Sequence, residues 1–524
     1  MASTSTAMDR DRQFDPDAGL LSNRAFRLFW LACGAAVMGG LLAGTVGAGG
    51  LEVGEDGSGN RIEAIAICVF MFPFFIFGPL NGLLADRLPR RGLMIGVDLA
   101  AIGLMAGLAV LATFEPFASP WTLTPLVVGG VTVSLLWPAE SALLPAMVPK
   151  DRLARANAIT CALAVVAVVT AVLLGRYLAD RFLLRAAFAL SAASLLISTI
   201  LLLLIRRQAG QAQAVSSHGA GVGGLAEAVR YIRDHQRVAR LMVVTMVIWA
   251  FGALVWIAAP TLVQDVCGRQ GLSDVRLFQS FLVAGMLIGA LILTSTGDAL
   301  RGEAIIVWSL LGITLAIAAL AGCALLPISS GAAFWVGSTA AGAAGVFLCG
   351  AAIACNALLQ RIVPNRLRGR VFGLSELAGA VALLAVITTI GIPSWSNLAG
   401  WIGWVSLGAA VVLAAGVAKP LSARLRRGPL RWTKQFWWNL TEFYCRWWFR
   451  LRREGPCTVP AEGPVIVVAN HTCGIDPLLL IASTAHRLIG FLVAEEYTRI
   501  PIGGRLIHMI GCVPVRRDGH DAAG

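Results

Sequence analysis

The sequence predicts a mainly α-helical membrane protein, with twelve spanning helices in two six-helix halves and a small, partial α/β domain after them. Three observations predict this. The 524 residues are 57% hydrophobic and 14% charged, with a mean hydropathy of +0.77; soluble domains average about a quarter charged residues. Many runs reach the roughly 20 apolar residues that cross a bilayer. Short patterns in the first part of the chain recur in the second. Beyond about residue 456 the pattern changes to short apolar strands alternating with helices, as in small α/β units.

Residues 1–24 are polar and mixed in charge, without the order of a cleavable signal. The first half, 25–205, has spans near 26–50, 62–84, 93–113, 123–147, 156–177 and 183–205. The second, 240–418, has spans near 240–263, 278–300, 304–326, 332–360, 371–393 and 399–418. Between them, 206–239 opens as a flexible linker by composition. It continues as "LAEAVRYIRDHQRVARL", expected to form an amphipathic helix at the membrane surface. The loops alternate in charge. Arg87, Arg90 and Arg91, then Lys150, Arg152 and Arg155, then Arg206, Arg207 and Arg301, then Arg366, Arg368 and Arg370 gather on one side. Basic loops stay in the cytoplasm. An even number of spans then puts both termini there, in a multi-pass protein of the inner cell membrane.

The halves repeat. "ALLPAMVP" at 142–149 and "ALLQRIVP" at 357–364 share Ala-Leu-Leu followed by Val-Pro. "ADRLPRRG" at 85–92 and "GDALRGE" at 297–303 share an Asp followed by Arg-Gly, pairing Asp86 with Asp298. Parallel duplication of this kind builds transporters whose substrate cavity lies between the halves.

Residues 419–455 mix Trp432, Trp437, Trp438, Trp447 and Trp448 with Arg431, Lys434, Arg446 and Arg450. Aromatic rings favour the headgroup level and cations favour anionic lipid, so an interfacial helix is expected there. In 456–524, "PVIVVA", "RLIGFLVA" and "CVPV" read as strands, with "DPLLLIAST" and "IPIGGRLIHMI" as helices.

Several function classes are disfavoured. The net charge of +13 is accounted for by loop topology without nucleic acid. The eleven cysteines lie mostly in apolar runs without a CxxC pair, so no metal site is expected. Gly219, Gly221 and Gly224 have GxGxxG spacing, but no strand precedes them, which argues against dinucleotide binding. No Walker A sequence occurs, and no bound cofactor is expected. Intramembrane carboxylates are default candidates for substrate or proton sites; Asp98, Glu140 and Glu376 qualify. Each lies near the basic-loop end of its helix, where snorkelling or loop pairing is at least as strong an expectation as transport chemistry.

Gly82-Leu-Leu-Ala-Asp86-Arg87, followed by Arg90 and Arg91, resembles the loop 2–3 signature of the major facilitator superfamily. Trp137-Pro138, Val148-Pro149, Arg155-Ala156-Asn157 and Arg368-Gly369-Arg370 extend the resemblance over roughly 25–418. Gly82 permits close helix approach, and Asp86 suits the positive N-terminus of a neighbouring helix. The resemblance implies a cytoplasmic latch between the halves, with the region of Arg370 as partner. Pro89 stands where that loop more usually has glycine.

Near the C-terminal end runs "GPVIVVANHTCGIDPLLLIAS". Acylating a hydroxyl from a thioester needs a base, and a histidine oriented by a carboxylate supplies one. A strand-to-helix turn brings His471 and Asp476 within reach of each other. The bland alternative makes Asp476 an N-cap ahead of Pro477. "NHxxxxDP" after an apolar strand resembles the first motif of the glycerolipid acyltransferases of lysophosphatidate type. "GCVPVRRDG" resembles their second motif, in which an Arg contacts the acceptor phosphate: Arg517, with Arg516 the neighbouring choice. Their third motif, with a Glu-Gly-Thr-Arg core, does not occur in this sequence, so a truncated domain is expected. The combination resembles lysophospholipid transporters coupled to acylation. It implies membrane lipid and a small amphiphile as partners, and acyl-CoA or acyl carrier protein as donor. Two competitors remain: a drug or siderophore exporter with an inert tail, and an acyltransferase merely anchored by the membrane part.

Overall fold

The computed structural model describes residues 19–51, 59–112, 124–180, 184–205, 222–296, 302–391, 398–425, 432–451, 457–460, 463–470, 472–484, 487–500 and 503–516. The chain divides into two compact units, the first reaching to Val412 and the second running from Leu413.

The first unit is a helical bundle. Its first half comprises α1 (Arg24–Leu51), α2 (Gly59–Arg87), α3 (Arg90–Leu111), α4 (Thr124–Leu143), α5 (Leu153–Asp180) and α6 (Leu184–Leu204). A linker helix α7 (Val222–Asp234) leads to α8 (Gln236–Thr261), α9 (Leu272–Thr296), α10 (Gly302–Leu325), α11 (Ser330–Ile362), α12 (Arg368–Val386) and α13 (Leu398–Leu425), which passes into the second unit at Leu413. Among the described residues ten helices are long and apolar enough to cross a membrane. Counting α2, which is broken at Gly78, makes eleven, and the shorter apolar stretch Gly403–Ala418 stands where the twelfth span is expected. In lipid only a helix satisfies every backbone group within its own segment, so apolar length alone locates these elements.

Side chains and glycines then set the packing. α1 starts where Asn23 Oδ1 accepts the N–H groups of Ala25 and Phe26 at 2.9 and 3.2 Å, an N-cap arrangement. Within each half, α1 packs on α4, α5 and α6, and α11 packs on α9 and α10. Across the halves, α2 meets α12, and α5 meets α9 and α11.

The linker differs from expectation. The amphipathic helix stops at Asp234 and does not continue to Leu241. His235, at φ −113° and ψ 85°, breaks it, and Gln236 already belongs to the first span of the second half. α7 also binds protein: Glu227 pairs with Arg366, and with Arg370 at 3.1 Å. Tyr231 Oη donates to Ile362 O at 3.4 Å, and partial burial raises the Tyr231 phenol pKa.

The second unit contains α14 (Trp432–Trp448), α15 (Asp476–Ser483), β1 (Leu492–Ala494), α16 (Glu495–Thr498), α17 (Gly503–Ile510) and β2 (Val513–Val515). β1 and β2 pair in parallel, with Leu492 opposite Val513 and Ala494 opposite Val515. Expected strands "RLIGFLVA" and "CVPV" thus shorten to three residues each. Expected strand "PVIVVA" forms no ladder among the described residues, and Ile466 and Val468 are about 90% exposed. β propensity becomes a strand only where a neighbour supplies hydrogen-bond partners.

Candidate functional site

At the basic-loop end of the first unit, α2 and α12 approach backbone to backbone. A Cβ on Gly82 would stand 2.6 Å from Gly369 O, and one on Gly373 2.5 Å from Gly78 O. Only glycine permits this seam. It brings Asp86 to the N-terminus of α12, where Oδ1 accepts the Gly369 N–H at 2.8 Å and Oδ2 the Arg370 N–H at 3.1 Å. Those N–H groups lack partners within their own helix, and the helix dipole favours the carboxylate there. The Arg370 Nε lies 3.5 Å from Asp86 Oδ2, and Arg90 lies 4.0 Å from Oδ1.

The other predicted loop residues divide their roles. Arg90 crosses the seam, donating to Ala142 O at 2.7 Å in its own half and to Asn365 Oδ1 and O at 2.8 and 3.0 Å in the other. Arg91 stays within the first half, donating to Leu202 O and Leu203 O at the end of α6. Arg368 stays within the second, closing the end of α11 through Gln360 O and Val363 O at 3.0 and 3.3 Å. Asp298 lies outside the described residues, as does the Arg87 side chain.

A second cross-half contact was not singled out from sequence. Asn157 Nδ2 donates to Gln360 Oε1 at 2.7 Å, and Gln360 Nε2 donates to Ser141 O at 3.1 Å. Gln360 is only 1% exposed. It interrupts the repeated "ALL…VP" pattern with a polar residue inside an apolar span, and that was the available signal. One further turn along α5, the Cys161 and Cys349 sulfurs lie 3.5 Å apart, again from opposite halves.

The intramembrane carboxylates stay separate from the seam's hydrogen bonds. Asp98 is fully buried and accepts the Ser198 hydroxyl at 2.7 Å. Glu140, on α4, has the Cys33 side chain of α1 as a neighbour. Glu376 is 6% exposed, on the inner face of α12. Snorkelling therefore does not describe Asp98 or Glu376, because neighbouring helices enclose them.

In the second unit, Asp476 opens α15 with Pro477 behind it. The carboxylate does not cap the helix in the expected way. Its Oδ2 accepts the N–H groups of Thr472 and Cys473, both at 2.8 Å, and so closes the turn that leads into α15. His471 itself lies outside the described residues. The parallel pairing of β1 and β2 puts Arg516 beside Glu495, with Nε 3.1 Å from Oε2. Arg516 is thereby engaged by a carboxylate; Arg517 lies outside the described residues. Among the described residues no group of three His, Cys, Asp or Glu side chains is placed to hold a metal ion.

Comparison with known proteins agrees with this division. Residues 28–387 match the family described as Major Facilitator Superfamily, and residues 450–524 match the family described as Acyltransferase. Over 382 residues the chain is 22% identical to Macrolide efflux protein A of Streptococcus pyogenes, covering 72% of this chain and 91% of that one. It is 24% identical over 316 residues to Macrolide efflux protein A of Enterococcus faecalis, covering 60% and 94%. Among solved structures, the fucose:proton symporter of E. coli superposes with a TM-score of 0.58 at 13% identity, covering 75% of this chain and 98% of that one. A bacterial homologue of the iron transporter ferroportin in an outward-facing state gives 0.57 at 18%, covering 76% and 99%. At these identities the structural likeness shows the fold alone.

Proposed function

The chain belongs to the major facilitator superfamily, and from that premise we propose that it moves a lysophospholipid or similar amphiphile across the inner membrane for acylation by its C-terminal domain. One observation carries this reading. A secondary-transporter fold and an acyltransferase match containing "NHTCGIDP" occur in a single chain.

In this reading the basic loops face the cytosol. The Asp86–α12 seam and the Asn157–Gln360 contact then hold the cytoplasmic end closed. Opening requires the halves to rock apart there, breaking charge-assisted hydrogen bonds that substrate binding on the other side must offset. His471 then removes the proton of the acceptor hydroxyl as its oxygen attacks the thioester carbonyl. Asp476 holds the turn that carries His471 and stabilises the imidazolium. The thiol of acyl-CoA or acyl carrier protein leaves, and Arg517 binds the acceptor phosphate.

A second reading is favoured by the named relatives: export of a macrolide-like drug by the transporter alone. Reconstituted vesicles separate the two. Fluorescent lysophospholipid should cross bilayers containing the protein faster than empty ones, and an Asp86→Ala variant should lose most of that gain. Equal crossing in empty vesicles rules out the lysolipid reading, and macrolide resistance in expressing cells with no lysolipid movement establishes the second.

A further inference from the structure

We infer that a groove between α1, α5 and α9 binds one lysophospholipid from the leaflet at the basic-loop end, with its acyl chain along the groove and its phosphate at Arg155. The inference deepens the proposed function and rests on it for the choice of a single-chain lipid; the groove itself follows from the packing. A cavity of about 390 Å³ lies there, with Arg155, Ile159 and Val166 of α5 on one wall and Leu287 and Leu291 of α9 on the other. The spacings are those of one helix face, so a row of α5 faces a row of α9 and a single lane runs between them. Its floor is fixed. Trp30 of α1, which also lines the cavity, donates its indole N–H to Ile159 O at 3.1 Å. Beside it, Leu163 rests on Gly34 so closely that a Cβ on that glycine would stand 2.6 Å away.

The dimensions and chemistry of the lane identify its occupant. From Arg155 to Val166 the helix rises about 16 Å, close to one leaflet's share, about 15 Å, of the hydrocarbon core. The volume is at the small end for ligand sites, which run from about 300 to 1,000 Å³. Past the mouth the lining is apolar, and the Thr294 hydroxyl is already used on Ala290 O at 2.9 Å. Water finds no partners in such a lane, and an empty one forfeits its contacts; an acyl chain fills it. The mouth has the opposite character. Arg155 stands in the first turn of α5, and its planar guanidinium suits phosphate oxygens. A second guanidinium borders the mouth, because Arg27 donates to O of Leu21, another lining residue, at 3.2 Å. One lane ending at guanidinium groups fits a phosphate lipid with one chain.

The two walls belong to opposite halves of the bundle. A chain in the lane therefore touches both, and rocking that parts α5 from α9 opens the lane sideways. The amphiphile then passes between the protein and that leaflet without entering water.

The test uses the full chain in phosphatidylcholine vesicles and a lysophosphatidylglycerol with a photoreactive diazirine in its acyl chain. Illumination and peptide mass spectrometry should place adducts within 159–166 and 287–294. Arg155→Gln should lower the yield about tenfold, the effect of losing one charge-assisted bond, and Arg155→Lys should keep most of it. Leu291→Trp should remove the adducts by filling the lane from a position that is 54% exposed; an unchanged thermal midpoint shows that this variant is folded. A monoacylglycerol with the same chain but no phosphate should label weakly. Adducts confined to other helices overturn the inference, as does equal labelling by the monoacylglycerol, by a two-chain phosphatidylglycerol probe or in Arg155→Gln. Labelling is read without flux. Groove adducts in a protein that moves no lysolipid uphold the site and refute the transport reading, whereas flux without groove adducts refutes the site alone.

Discussion

The seam between α2 and α12 and the two-stranded sheet of the second unit solve the same problem in opposite ways. Both bring distant segments into backbone contact. The seam does so between helices whose interior hydrogen bonds are complete, so what decides it is the absence of side chains at Gly82, Gly369 and Gly373, plus one carboxylate at a helix start. In the sheet the backbone groups themselves need the partner, and pairing extends over three residues per strand. The seam adds specificity to elements that already exist. The ladder creates its elements, and where the partner is missing among the described residues, as at 464–469, an apolar run stays exposed.

The largest effect that breaks this comparison is expected at Gly369. A Cβ there would lie 2.7 Å from Gly82 O and 2.6 Å from Asp86 Oδ1. Gly369→Val should therefore reduce transport to the vesicle background, while membrane insertion, checked by limited proteolysis, is kept.

Nearly as large is the effect of tying the halves together at Cys161 and Cys349. A copper–phenanthroline oxidant should take one electron and one proton from each thiol, and the disulfide, with sulfurs about 2.05 Å apart, needs only a small closure from 3.5 Å. Flux should stop on oxidation and return with a reductant, and a Cys161→Ser variant should be insensitive.

Asp86→Asn is a smaller perturbation. One amide oxygen still accepts one N–H, but the charge and the second acceptor are lost. Charge-assisted bonds are worth about 1.5–3 kcal/mol, so the closed state should weaken by roughly tenfold or more. Faster labelling of a cysteine probe at the basic-loop end would register this.

The smallest effect sharpens the second unit. Trp438→Phe removes the indole donor from Ile481 O, which keeps the Thr484 hydroxyl at 2.9 Å, so the cost is that of one hydrogen bond, about 0.5–1.5 kcal/mol. Thermal unfolding of the C-terminal unit should shift down by a few degrees, with the transporter transition unchanged.

Much of the site was legible in the sequence. Asp86 beside Gly82 marked a close helix approach, and the resemblance of that loop to the family signature pointed to the region of Arg370 for its partner. Less legible was the division of the arginines. Arg90 crosses to the other half while Arg91 and Arg368 bind carbonyls at helix ends of their own. Adjacent residues on a helix point about 100° apart, so neighbours in a basic cluster face different partners. Gln360 was passed over because a polar residue in an apolar span announces a partner without naming it.

By itself the sequence determined the spans, the two halves and the motif-bearing turns, because apolar length, repetition and capping residues act within a few turns of chain. Only the tertiary structure decided that Asp86 meets the Gly369 and Arg370 amides, that Asn157 meets Gln360, and that α14 turns its aromatic side outward. Those outcomes depend on which surfaces come within hydrogen-bonding or van der Waals distance, and residues far apart in the chain reach that distance only after the helices have packed.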